Sequence, residues 1–131
     1  MARCETGHLD EAPVTTAPDG SLVRELLSLA GGSMAQFTLP PGETSIAAAH
    51  RTVEEIWFIT AGNGAMWRCR QGEEQVDPLR PGTCLSIPVG TAFQFRSLGT
   101  EPLVAIGITM PPWPGPDEAV RVDGRWLPTV R

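Results

Sequence analysis

Lysine is absent from this chain. All ten basic residues among its 131 are arginine, and they are scattered rather than gathered on one stretch. Against 15 acids they leave a formal charge of −5, so the basic footprint of a nucleic-acid binder is missing and no such partner is expected. Missing too is any apolar run long enough to span a bilayer, which argues against a membrane partner. Met1 to Asp10 holds Cys4, Glu5, His8 and Asp10 but no apolar stretch, so neither a secretory signal nor a lipoprotein anchor is readable. A cytoplasmic location is the expectation. There is no CxxC pair, and Cys4, Cys69 and Cys84 make an odd count, against both a disulfide framework and a sulfur-ligated zinc site. Cys69 and Cys84 read as small core residues.

What is present is turn chemistry. Fourteen glycines and 13 prolines recur between apolar runs, in a chain of 41% apolar and 19% charged residues. That is the pattern of one compact domain made of short strands. Leu22 to Ala30 suits helix or strand by its leucines, and its context favours strand. Further strands are expected at 33–39, 45–51, 55–60, 65–70, 74–79, 84–87, 92–96 and 103–110. Breaks such as Gly62-Asn63-Gly64, Gln71-Gly72 and Pro81-Gly82 separate them. The expected architecture is all-β, a sandwich or barrel. In the last strand Val104, Ile106, Ile108 and Met110 share a face, which is read as core. Residues 1–20 read as an arm without assigned chemistry, 21–110 as the barrel and 111–131 as a proline-rich tail packing on the barrel or on a partner subunit. Val120 to Trp126 is read as a brief hairpin about Asp123-Gly124.

Two gapped motifs carry a resemblance. The first is Gly42, five residues, Ala48-Ala49-His50, four residues, Glu55, six residues, Gly62. The second is Gly82, five residues, Pro88-Val89-Gly90, two residues, Phe93, three residues, Ser97. Together and in this order they resemble the paired signatures of the cupin superfamily. The resemblance implies a double-stranded β-helix, or jelly-roll barrel, with a ligand cavity at its centre. In metal-binding cupins two histidines and a glutamate of the first motif and a histidine of the second hold one divalent ion. At those places this chain has Ala48, His50, Glu55 and Phe93. If the second motif slips by one residue the ligand position becomes Ala92, which has no donor either.

One imidazole and one carboxylate define neither the affinity nor the open positions of a metal site. No cofactor and no tightly bound metal are therefore expected, which leaves room for a weakly held divalent ion at His50 and Glu55. Alternation along strands puts Ala48 with His50 on one side, and Glu55, Trp57 and Ile59 together on the next strand. The resemblance turns those sides to the cavity. An imidazole beside a buried carboxyl suits general acid–base work near neutral pH, so His50 and Glu55 are the candidate catalytic pair, with a self-satisfied relic pair as the bland alternative.

Trp57, Phe93, Phe95, Met66 and Gln94 are the candidate substrate contacts, Gln94 under the slipped alignment; which of Met66 and Trp67 faces inward stays open. Arg51 should face outward beside Glu54, and Arg68 reads as solvated charge rather than an anion clamp. The expected function is conversion of a small metabolite by proton transfer, of isomerase, epimerase, cyclase or lyase type. A non-catalytic small-molecule binder and a metal-dependent enzyme with atypical ligands are the alternatives. Exposed strand edges and a tail bearing Trp113 and Trp126 point to a homodimer.

Overall fold

The computed structural model describes residues 4–130. Eleven antiparallel strands form two sheets: β1 (Val14–Thr16), β2 (Leu22–Leu29), β3 (Gly32–Leu39), β4 (Ala48–His50), β5 (Glu54–Ala61), β6 (Gly64–Arg70), β7 (Glu73–Leu79), β8 (Cys84–Ile87), β9 (Ala92–Ser97), β10 (Leu103–Met110) and β11 (Ala119–Arg121). One sheet has the order β1-β2-β3-β10-β5-β8 and the other β11-β4-β9-β6-β7. This is the jelly-roll sandwich read from the sequence, with single 3₁₀ turns at Leu9–Glu11 and Pro116–Glu118.

The turn residues act as their chemistry requires. Gln71 and Gly72 both take positive φ in the two-residue link from β6 to β7, the geometry a tight hairpin needs. Gly62 has φ +82°, and a Cβ there would lie 2.3 Å from the Pro102 oxygen, so no larger residue fits. Along β5 burial alternates strictly, with Glu55, Trp57 and Ile59 inward and Glu54, Ile56 and Phe58 outward.

Strand β10 reverses the expected faces. Its inward residues are Leu103, Ala105, Gly107 and Thr109, while Val104, Ile106, Ile108 and Met110 lie half-buried on the outer surface. The reason is steric. Phe37 on β3 and Trp57 on β5 stack at 5.0 Å between ring centroids across the intervening β10, and a Cβ on Gly107 would lie 2.5 Å from the Phe37 ring. No side chain fits at Gly107, the middle of that side. Hydrophobicity pointed to one face and interior volume chose the other.

The chain ends also depart from expectation. The arm supplies β1, which pairs with β2, and Arg24 donates to the backbone oxygens of Leu9 and Ala12 to hold the segment down. The tail does not fold on itself about Asp123-Gly124. Instead β11 joins the five-stranded sheet, with Ala119 opposite His50 and Arg121 opposite Ala48. Met1 to Arg3 of the arm and Arg131 of the tail lie outside the described residues. Cys84 is exposed and Cys69 partly exposed, so neither is the core residue expected.

Candidate functional site

A cavity of about 800 Å³ opens at one end of the sandwich between the two sheets. Strands β4 and β9 of one sheet and β5 of the other line it with Ala48, His50, Glu55, Trp57 and Phe93. His50 and Glu55 flank the short turn from β4 to β5, and both side chains are buried. His50 Nδ1 lies 3.1 Å from Glu55 Oε1, but no hydrogen bond is aligned along that vector, so Nδ1 is buried without a partner. The other carboxylate oxygen, Oε2, accepts the Trp57 indole N–H from two residues along the same strand face. The imidazole ring sits between two aromatic edges, Phe93 at 5.2 Å and Trp113 at 5.3 Å between centroids.

Burial shapes the electrostatics of this pair. Desolvation pushes the Glu55 carboxyl up to about 7, against the pull of the Trp57 N–H and with a further push from the charge of Asp19. Desolvation also holds the His50 imidazole below its ordinary value, with nearby Glu118 pulling the other way. The two groups lie 3.1 Å apart, and burial favours the neutral form of each. Such a pair can take a proton or give one without first desolvating.

Three residues that the sequence reading did not assign belong to this site. Asp19, from the link between β1 and β2, lines the cavity and is buried; its Oδ1 accepts from the Ser21 N–H at 2.9 Å and the Ser21 hydroxyl at 2.6 Å. Burial raises its carboxyl pKa. Trp113, from the proline-rich tail, covers His50, and its N–H donates to Ser33 Oγ at 2.9 Å. Glu118 accepts from the N–H groups of Thr52 and Val53 and from the Thr52 hydroxyl, and so clamps the turn between His50 and Glu55. Burial pushes its carboxyl up, but these donors and His50 outweigh that and leave it below the usual range. A tryptophan among prolines and an acid just after them were the only local signals.

The expected substrate contacts divide. Trp57 and Phe93 line the cavity, whereas Phe95 and Met66 are fully buried in the core cluster behind it and are not among its lining residues. Gln94 points away from the cavity, because the unslipped register pairs Phe93 with Ala48; its amide bonds to the Ser45 oxygen and to both backbone groups of Trp126. Trp67 takes the face opposite Met66 and donates to Glu74 at 2.8 Å. Arg51 is exposed and donates to the Asp117 oxygen rather than pairing with Glu54, and Arg68 pairs with Asp77 at 2.6 Å.

The donor set does not fit a divalent ion held by protein groups. Among the described residues no three of His, Cys, Asp or Glu converge in the way an ion requires. The two departures from the metal-binding pattern are also mutual neighbours. Ala48 and Phe93 face each other across β4 and β9, so the small residue leaves the space that the ring takes.

Comparison with known proteins follows from this geometry. A family model described as a cupin domain matches residues 35–109. An uncharacterized protein of Methanocaldococcus jannaschii, MJ1618, is 30% identical over 107 residues, covering 78% of this chain and 82% of that one. Among solved structures, oxalate decarboxylase of Bacillus subtilis superposes with a TM-score of 0.75 at 13% identity, over 87% of this chain and 31% of that chain. The capsular polysaccharide assembling protein CapF of Staphylococcus aureus gives 0.74 at 18%, over 86% and 34%. BH2720 of Bacillus halodurans gives 0.64 at 22%, over 70% of each chain. The chain spans about a third of the first two of these structures, and at such identities the likeness is one of fold.

Proposed function

We take as premise that the chain belongs to the cupin family, and we propose that it is a small-molecule-converting enzyme in which His50 and Glu55 transfer a proton. The observation that carries this is the unaligned 3.1 Å approach of His50 Nδ1 to Glu55 Oε1, both buried on the wall of the cavity. A relic pair that only satisfied itself would close into a linear hydrogen bond, and here Nδ1 is left unpartnered. The proton removed from a substrate carbon next to a carbonyl or enol goes to His50 Nε2. The charge that develops on the imidazole is met by the Glu55 carboxylate at Nδ1. Return of the proton to another carbon, or loss of a leaving group, completes an isomerase, epimerase, cyclase or lyase reaction. No step needs a metal, and any divalent ion at His50 and Glu55 would be weakly held and completed by water or substrate.

The test is a substrate screen run on wild type, His50→Gln and Glu55→Gln. Loss of turnover by at least about 100-fold in each variant is expected. Unchanged turnover in His50→Gln removes that residue from the mechanism, and a ligand that binds wild type without ever being converted makes the protein a binder. A stoichiometric ion surviving chelation and repurification overturns the metal-free reading. The proposal places the enzyme in the cytoplasm, in keeping with three free cysteines. It also carries a homodimer. The outer face of the six-stranded sheet exposes Ile56 and Phe58 directly opposite Ile108 and Ile106, and an apolar patch of this kind is self-complementary to a second copy. Sedimentation at micromolar concentration checks it, with a lone 131-residue species as the contrary result.

A further inference from the structure

Charge in the cavity is one-sided. No arginine among the described residues lines it, and the chain has no lysine. Arg24, Arg51 and Arg68 are engaged elsewhere, with backbone oxygens or with Asp77. Three carboxyl groups do line it: Glu25, which is exposed, and the buried Asp19 and Glu55. His50 is the single lining group able to carry positive charge, and its burial opposes that. The remaining wall is rich in flat apolar surface from Phe37, Trp57, Phe93 and Trp113.

We propose that the cavity admits a compact, apolar-bodied molecule bearing a basic nitrogen, whose ammonium group is held by Asp19 and Glu55 against the aromatic faces, and that it rejects carboxylates and phosphates. The physics is that of an unmatched buried acid. Burial makes Asp19 and Glu55 resist ionising, and an ammonium group supplies a counter-charge that offsets the lost solvation. Aromatic faces add attraction for the same cation through their quadrupoles. An anionic ligand would instead bring like charge beside two acids in a low-dielectric space, with no guanidinium to clamp it. Asp19 is suited to the anchoring role because Ser21 occupies only Oδ1, and no side-chain hydrogen bond engages Oδ2 among the described residues.

This inference rests on the foregoing reading only in taking the cavity as the ligand site, and its test needs no turnover. Tryptamine, tryptophol and indole-3-propionate present an ammonium, a hydroxyl and a carboxylate on one aromatic body. Their affinities for the full chain are measured by calorimetry near pH 8, where the free amine is protonated and the free acid ionised. The expected order is amine, then alcohol, then acid, with about tenfold between amine and acid. Asp19→Asn, whose amide oxygen can still accept from Ser21, should weaken tryptamine about fivefold and leave tryptophol unchanged. A tighter-binding acid, equal affinities, absence of binding by all three, or an equal loss for tryptophol in Asp19→Asn overturns the proposal. If that variant does not fold, the wild-type order decides alone. Unchanged turnover in His50→Gln would defeat the proton-transfer reading while leaving this order standing, so the two failures are distinguishable.

Discussion

The cavity has two kinds of wall. One is made by strands: β4, β5 and β9 present His50, Glu55, Trp57 and Phe93 at alternating positions, and their directions follow from a period of two. The other is made by the chain ends, where Asp19 comes from the arm and Trp113 from the tail, with Glu118 behind it clamping the turn. The first wall holds His50 and Glu55 and the second sets their surroundings. Asp19 raises the Glu55 carboxyl, Glu118 acts on the charge of His50, and Trp113 covers the imidazole. Titratable groups on a rigid scaffold can thus be tuned by irregular segments, and the two walls should answer differently to substitution.

The largest structural effect is expected in the strand wall at Gly107. Gly107→Val would drive two methyl groups into the stacked Phe37 and Trp57 rings, since even a Cβ lies 2.5 Å from Phe37 and 3.2 Å from Trp57. Overpacking of this kind costs about 3 kcal/mol and should lower the melting temperature by roughly 10 °C. A variant that melts with wild type would show that the aromatic pair can be displaced freely and that the strand wall is not rigid.

Next is the dependence of stability on pH. A carboxyl raised from 4.5 to about 7 in the folded state binds its proton there while the unfolded chain has released it. Stability therefore declines as pH rises from about 4.5 through 7, by an amount on the order of 2 kcal/mol. His50, held low, acts in the opposite sense: the folded state is penalised below its ordinary 6.5, so its contribution rises with pH up to that point and offsets part of the decline. Glu55→Gln should flatten this decline in denaturant titrations run from pH 4.5 to about 8. If Asp19→Asn flattens it more, the arm rather than the strand carries the dominant buried acid.

How much of this was legible follows from the same division. The cupin fold and the closeness of His50 to Glu55 were readable because gapped motifs and strand parity are local properties. Parity failed at β10, where the more apolar face is outside and Gly107 is inside; a sequence records hydrophobicity at each position but not the volume of rings two strands away. Met66, Phe95 and Gln94 were grouped with the cavity because alternation tells face but not depth, and depth comes from how far the sandwich closes. Asp19 and Glu118 were unreadable for another reason: their partners arrive through segments whose docking no period governs.

The smaller effects lie in the tail and are suited to dissecting how it is held. Glu118→Gln should cost about 1.5 kcal/mol near neutral pH, because one carboxylate oxygen that accepts two backbone N–H groups becomes part of an amide. Its depressed folded pKa means that the wild-type contribution is full above about 4.5 and is lost as pH falls through the lower folded value. The variant should lack that acid-side loss.

Arg51→Ala is expected to do least. Arg51 also ties the turn to the tail, through its Nε donating to the Asp117 oxygen at 3.0 Å, but it does so in an exposed position. Water replaces an exposed donor at little cost, whereas nothing replaces a buried acceptor, so the change should stay within about 0.5 kcal/mol. Equal melting shifts for Arg51→Ala and Glu118→Gln would mean that the tail is held from its outside. The roof over His50 would then be a surface association rather than an extension of the core, and the contrast between the two walls would disappear.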